Sequence, residues 1–169
     1  MILALAGGVG GAKLANGLCQ ILQPDELLIA VNTGDDFEHL GLHISPDLDS
    51  VMYKLAGIND CDRGGGLADE TWQFMDALKR LGGETWFNLG DKDLATHIER
   101  TRHLTSGKTL SETTTALCDV LGIAHTIAPM SDKPVRTIVN TKNGSMPFQE
   151  YFVRHECKPQ VTSFTVDGA

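Results

Sequence analysis

The sequence predicts an α/β fold organised around a mostly parallel sheet, and three observations carry that prediction. Two short continuous apolar runs, "MILALA" (1–6) and "ELLIAVNT" (26–33), stand one helix apart. Between them Leu14, Ala15, Leu18, Ile21 and Leu22 recur at helical spacing, so residues 11–22 read as a helix. Strand, helix and strand in so short a stretch form a βαβ unit, whose strands are parallel and whose crossover is right-handed. The third observation is the turn between the first strand and the helix, where "GGVGGAKLANGL" places Gly7, Gly8, Gly10 and Gly11.

Glycines at such a turn permit φ > 0 and leave bare backbone N–H groups at the positive end of the helix dipole, a place suited to an anion. The stretch follows neither common phosphate fingerprint. Ala12 separates Gly11 from Lys13 and Leu14 follows, so there is no Gly-Lys-Ser/Thr run. Gly8 and Gly10 begin a G-x-G-x-x-G pattern, but Lys13 stands where the third glycine belongs. A lysine there can reach back over the loop as a point charge for a phosphate. The alternative is a tight turn with no ligand.

The later elements follow from the same signals. Pro24 stops the first helix before the second strand. After Thr33 a polar loop runs into a helix over 46–56, with Ser45 as N-cap, Pro46 in the first turn, and Asp47 and Asp49 at the dipole's positive end. "NDCDRGGGLADE" (59–70) reads as a flexible loop. Helical patterns cover 70–81, 94–104 and 111–121, with Gly82, Gly107 and Gly122 as stops. "TWFNL" and "AHTIAP" read as strands. Residues 135–141 and 148–154 read as two strands joined by a turn containing Asn143-Gly144, and "QVTSFTV" as another strand. Without repeats or low-complexity segments, residues 1–169 form one domain.

Composition limits the function. Fourteen Lys and Arg against 22 Asp and Glu give a net charge of −8, which excludes nucleic acid or an anionic membrane as the main partner. An acidic chain that binds a phosphorylated ligand calls for a metal ion as a bridge. No apolar run reaches the length of a membrane span, and Met1 leads straight into strand-like sequence, which predicts a cytoplasmic protein. Cys19, Cys61, Cys118 and Cys157 are widely spaced, arguing against zinc or a disulfide framework. Cys19 and Cys118 read as small core residues, as do Trp72, Trp86 and the phenylalanines as larger ones.

Three polar knots lie at the ends of apparent strands, where open α/β sheets bind ligands. The densest is acidic: Asp35, Asp36, Glu38, Asp47 and Asp49. Carboxylates after a parallel strand can hold Mg²⁺, which keeps several waters and takes one or two carboxylates plus substrate phosphates; the alternative is turn-shaping and helix-capping. In "LGDKDLATH", Asp91 and Asp93 read as caps of the following helix, while Lys92 and His97 are placed to point into the crevice. In "PMSDKPVRT", Pro129 and Pro134 fix a loop around Ser131 and Asp132, with Arg136 beyond. His43, His103, His125 and His155 show no recognisable spacing and read as structural or exposed.

Together "GGVGGAKLANGL", "VNTGDDFEHLGLHISPDLDSVMYKLAGI", "LGDKDLATHIERT", "PMSDKPVRT" and "FQEYFVR" resemble the 2-phospho-L-lactate transferases, in order from Ala6 to Arg154. The resemblance implies a Rossmann-like three-layer sandwich. It implies transfer of a phospholactyl or phosphoenolpyruvyl group from its guanosine diphosphate conjugate to the deazaflavin precursor of coenzyme F-420, with release of GMP and a requirement for Mg²⁺. By motif match, Asp49 and Lys92 fall where the family contacts the deazaflavin. The glycine turn with Lys13, Asn32, Thr33, Gly34 and Asp35 falls where a diphosphate is expected, and Ser131 and Asp132 join that set. Asp36 and Asp49 are the candidate metal ligands and catalytic carboxylates. A homodimer is also implied. Two departures stand out: Gly65 occupies a position where the family carries a tryptophan, and family members run longer, so this chain corresponds to their N-terminal part with the sheet incomplete at the C-terminus. The rival readings are a UDP-sugar or nucleotide-binding regulator of the same superfamily and an inactive fragment.

Overall fold

The structure, a computed structural model, describes residues 1–60 and 65–169. Cys61 and the centre of the 59–70 loop lie outside the described residues.

The βαβ unit is present. Strand β1 (Ile2–Ala6) leads into helix α1 (Gly8–Cys19) and strand β2 (Leu27–Val31), and β1 pairs with β2 in parallel. Strand β5 (Thr126–Pro129) pairs in parallel with the other edge of β2, giving the order β1-β2-β5. Leu27, Ile29 and Val31 of the central strand are buried together with Ala4, Ala6 and Ile127 on one sheet face. Fully burying each of these larger side chains contributes on the order of 1.5–3 kcal/mol. Ala12 and Ala15 of α1, residues of helix α2 (Pro46–Leu55), and Leu110 and Cys118 of helix α5 (Leu110–Val120) complete that core. Leu3 and Leu5 point the other way and are exposed.

Helix α1 starts three residues earlier than its apolar pattern predicts, so Gly8, Gly10 and Gly11 lie in its first turn rather than in a loop. The cause is close packing. A Cβ at Gly11 would sit 2.9 Å from the Ala6 Cα, so glycine here lets the helix start directly against the end of β1. The same rotation buries Ala12 and Ala15 and leaves Leu14 and Ile21 exposed, against the expectation for both.

Residues 37–44, expected as loop, form a hairpin of β3 (Phe37–His39) and β4 (Leu42–Ile44). Its turn, Leu40-Gly41, has φ of 54° and 74°, the positive pair that a two-residue turn of matching twist needs. Phe37 and Ile44 pack with Met75 and Leu89 in a second, smaller core. Met75 belongs to helix α3 (Gln73–Arg80). "TWFNL" is not a strand: Trp86 and Phe87 pack on Phe37 without joining a ladder. Helix α4 (Asp93–Thr105) follows.

The tail forms an antiparallel sheet in the order β7-β6-β8, from β6 (Arg136–Thr141), β7 (Gly144–Pro147) and β8 (Val161–Asp167). Thr141 pairs with Gly144, so the turn is Lys142-Asn143 and Gly144 opens the strand. Residues 148–154 are not a strand. Pro147 removes a ladder donor, and a π-helical turn (Glu150–Arg154) follows. Phe148 and Phe152 stack one turn apart, centroids 5.7 Å, the helical period that the apolar alternation masked. Gly82, Gly107 and Gly122 do take the left-handed conformation at helix ends, as expected.

Candidate functional site

The end of β1, the end of β2 and the start of α2 converge on the glycine turn. Gly8, at φ 55°, donates its N–H to Asp47 Oδ1 at 2.8 Å. Asn32 Nδ2 donates to Asp47 Oδ2 at 2.8 Å and to Asp35 Oδ2 at 3.3 Å, while its Oδ1 accepts from the Gly34 N–H at 3.0 Å. A Cβ at Gly7 would lie 3.1 Å from Asp47 Oδ2, and one at Gly34 would lie 2.8 Å from Thr137 Oγ1. The chain's own carboxylate therefore occupies the anion position at the α1 N-terminus. Burial raises the Asp47 carboxyl against the lowering effect of Asn32 and Gly8. Asp35 is raised by burial and by the Asp47 charge. Of the predicted phosphate-binding residues, Gly7, Gly8, Asn32, Gly34 and Asp35 meet here. Gly10 has no neighbour within 4 Å of a built Cβ, and Gly11 serves packing.

A second polar cluster joins α2 to α4. Asp49 and Tyr53 lie one turn apart on α2; Asp93, His97 and Arg100 share a face of α4. Arg100 forms a two-pronged ion pair with Asp49: Nη2 donates to Oδ1, and Nη1 donates to Oδ2 at 3.2 Å. Arg100 Nη1 also lies 3.3 Å from His97 Nδ1, His97 Nε2 lies 3.3 Å from Asp93 Oδ2, and Tyr53 donates its hydroxyl to Asp93 Oδ1. Tyr53, His97 and Arg100 are each 1% exposed, so this network is desolvated. Burial would lower the Arg100 value, but the charge and hydrogen bond of Asp49, with Tyr53 and Asp36 nearby, together outweigh it and hold the guanidinium ionised. Burial, with Asp49 and Asp93 alongside, pushes the Tyr53 hydroxyl well up. One ligand atom each from Asp49, Asp93 and His97 lies within 4.8 Å of the others, the spacing of a candidate cation site.

Two adjoining cavities flank these clusters. One, of about 300 Å³, is lined by Asp49, Tyr53, Asp93 and His97 with aromatic walls at Trp72 and Phe87. The other, of about 150 Å³, is lined by Val9, Ala12, Lys13 and Lys54. They share Ser50, Tyr53, Gly65 and Gly66. Lys13 and Lys54 have no carboxylate within 4.0 Å among the described residues. His97 therefore lines the crevice as expected. Lys92 is exposed and donates its Nζ to the Ala68 carbonyl at 3.0 Å, on the loop that walls the larger cavity.

Asp91 and Asp93 do not cap α4. Asp91 accepts from the Gln73 and Phe74 amides and so caps α3, whereas Glu70 accepts from the Lys92 and Asp93 amides at the start of α4. Ser45 is not a side-chain cap either; its hydroxyl donates to Asp36 Oδ2 at 2.8 Å. His43 Nε2 meets the same oxygen at 3.2 Å, so a histidine without recognisable spacing sits at a candidate catalytic carboxylate. Asp36 Oδ1 and Thr33 Oγ1 are buried without a partner. Asp36 and Thr33 line a third cavity, of about 180 Å³, with Ser131, Asp132 and Arg136. Asp132 accepts from the Ser111 amide beside the Thr109–Glu112 capping box of α5. Asp36 and Asp49 thus belong to different networks.

Sequence reasoning missed Arg100, Tyr53 and Lys54. The only available signal for Arg100 was its i, i+3 and i+7 spacing from His97 and Asp93 on one helix face.

Comparison with known proteins adds the ancestry. Residues 2–169 match the family described as 2-phospho-L-lactate transferase CofD. A 2-phospho-L-lactate transferase of Methanospirillum hungatei is 43% identical over 155 residues, covering 92% of this chain and 52% of that protein. A phosphoenolpyruvate transferase of Kitasatospora aureofaciens is 45% identical over 159 residues, covering 90% of this chain and 50% of that protein. The chain thus spans about half the length of the curated relatives it matches. Among solved structures, a UPF0052 family protein of Bacillus halodurans superimposes with a TM-score of 0.57 at 12% identity, over 98% of this chain and 50% of the other, which supports the fold alone. With the family match running almost end to end over the turn, hairpin and helices described above, the chain belongs to the 2-phospho-L-lactate transferase CofD family.

Proposed function

We propose that this chain carries the two-substrate site of a transferase. It would move a phospholactyl or phosphoenolpyruvyl group from a guanosine diphosphate conjugate to the deazaflavin precursor of coenzyme F-420, releasing GMP. The observation that carries the reading is the pair of adjoining cavities, only one of which carries lysines and only the other the Trp72 and Phe87 walls. One offers to a diphosphate two lysines without an ion-pair partner among the described residues, with Asp60 also on its wall; the other offers an aromatic-walled slot with a polar floor to a flat acceptor.

The acceptor's alcohol oxygen attacks the phosphorus that carries the lactyl or enolpyruvyl group. A new P–O bond forms, the P–O bond to GMP breaks, and the hydroxyl proton is released. Such a reaction needs positioning and charge neutralisation more than covalent help. Lys13 and Lys54 hold the diphosphate, Trp72 and Phe87 flank the ring system, and Asp49 contacts its polar edge, with Lys92 tying the adjacent loop through the Ala68 carbonyl. Mg²⁺, when bound, would supply charge neutralisation at the Asp36 cavity, which is distinct from the lysine-lined one. Of its two expected ligands Asp36 fits, because its Oδ1 is a buried carboxylate oxygen without a partner. Asp49 does not fit, because Arg100 donates to both of its oxygens.

The deciding experiment incubates the chain with the deazaflavin precursor, Mg²⁺ and each donor separately, and weighs the product by mass spectrometry. A phospholactyl or phosphoenolpyruvyl adduct supports the reading and identifies the donor. Absence of either adduct, together with a melting temperature raised by a UDP-sugar but not by GDP, would establish a binding regulator instead. Absence of adduct and of any nucleotide effect would leave an inactive fragment.

A further inference from the structure

The Asp49 network carries a conclusion about which cation serves the site. We infer that Arg100 is the positioning residue for Asp49: its guanidinium takes the place of a metal ion on this carboxylate and fixes the tautomer of His97. The catalytic consequence rests on the transferase reading; the electrostatic assignment does not.

Geometry comes first. A planar guanidinium presents N–H groups in a rigid fork that matches a carboxylate, and Arg100 meets both oxygens of Asp49 in that manner. Arginine has no acceptor, so where Arg100 Nη1 approaches His97 Nδ1 at 3.3 Å the ring nitrogen must be the acceptor. The ring proton then lies on Nε2, which faces Asp93 Oδ2 at 3.3 Å as a close contact without hydrogen-bond geometry. Asp93 accepts in turn from Tyr53. One arginine thereby orders Asp49 and His97 along the wall of the larger cavity, beside the Tyr53–Asp93 pair.

Charge is the second line. Asp49 and Asp93 carry two negative charges and Arg100 one positive charge, leaving the cluster with a single excess negative charge. A divalent ion on Asp49, Asp93 and His97 would overcompensate it. It would also compete with Arg100, which already donates to both Asp49 oxygens, for a lone pair of that carboxylate. The close spacing of these three ligand atoms is thus the signature of an arginine-centred network. Stability alone is a poor account of such a pair, because a buried ion pair is often no more stabilising than apolar packing of similar volume. What it does supply is a fixed carboxylate at a cavity wall.

Two measurements test this. Nitrogen-15 correlation spectra of the imidazole rings, with His97 assigned by a His97→Gln variant, should show the Nε2–H tautomer. Adding Zn²⁺ should leave the His97 ring nitrogens unshifted. An Nδ1–H tautomer, or a Zn²⁺-induced shift of either nitrogen to a metal-coordinated position, would overturn the assignment whether or not the chain turns over. For the catalytic half, Arg100→Lys keeps the charge and loses the fork. It should lower kcat about 10–100-fold, the usual effect of removing an outer-shell orienting partner, while KM for the donor changes less than twofold. Arg100→Met, if folded, should lose more activity than Arg100→Lys. A folded Arg100→Lys protein with unchanged kcat would overturn the positioning role. A wild-type chain that makes no product while its spectra show the Nε2–H tautomer would reject the transferase reading and leave the electrostatic assignment standing.

Discussion

At the scale of single residues, neighbouring glycines of one motif do different jobs. Gly8 takes a positive φ and offers its amide to Asp47; Gly11 lets α1 touch β1; a Cβ at Gly10 would point into open space. Their alanine variants should therefore diverge. Gly11→Ala forces a methyl against backbone and should cost about 1–3 kcal/mol, the usual range for overpacking. Gly10→Ala, in the exposed first turn, should instead be neutral or stabilising by up to about 1 kcal/mol. Urea unfolding of the two variants checks the contrast, and equal destabilisation would refute it. His39 supplies the pH-dependent case. It is 3% exposed among Phe37, Trp86 and Phe87, and burial lowers its pKa against the opposing pull of Glu84 and the Phe87 backbone. A base whose folded pKa lies below its unfolded value favours the native state above the unfolded value and loses that advantage as pH falls. Thermal stability should thus decline from about pH 6.5 downward, and His39→Leu should flatten that limb of the curve.

At the scale of elements, crossed caps tie α3 to α4. Glu70, ahead of α3, serves the first amides of α4, while Asp91, ahead of α4, serves those of α3. Gly90 belongs to the same device, since a Cβ there would overlap Glu70, 2.1 Å from its Cδ. Loss of the Glu70 cap should cost roughly 0.5–2 kcal/mol. Glu70→Ala should therefore destabilise by that amount and Asp91→Ala in the same direction, and the double variant by less than the sum if the caps lock one another. Hydrogen exchange at the amides of residues 73–74 and 92–93 is the measurement. Sequence reasoning found both helices, assigned Asp91 and Asp93 to α4 as caps and named no cap for α3. A capping carboxylate is recognisable by type, but which helix it caps depends on how two segments fold across each other. The same limit explains "TWFNL" and residues 148–154, where apolar residues find partners without a ladder.

At the scale of the molecule, the first turns of α1, helix α2 and α4 gather around adjoining cavities. A nucleotide bound there should stabilise the whole chain: at a hundredfold excess over Kd, GDP should add about 2.7 kcal/mol. A melting curve unmoved by GDP and Mg²⁺ would count against the donor site. No helix among the described residues is long and apolar enough to cross a membrane. What the sequence by itself determined was local: the βαβ unit, the glycine-stopped helices and the ordered motifs that announce the family. Periodicity and turn chemistry act within a few residues and can be read in one dimension. What only the tertiary structure decided was pairing. Asp47 meets Gly8 across 39 positions, and Arg100 meets Asp49 across 51, so a turn read as a phosphate cradle holds a carboxylate and a carboxylate read as a metal ligand holds an arginine. Charges choose their partners by distance in space, and that distance exists only once the helices have docked on the sheet.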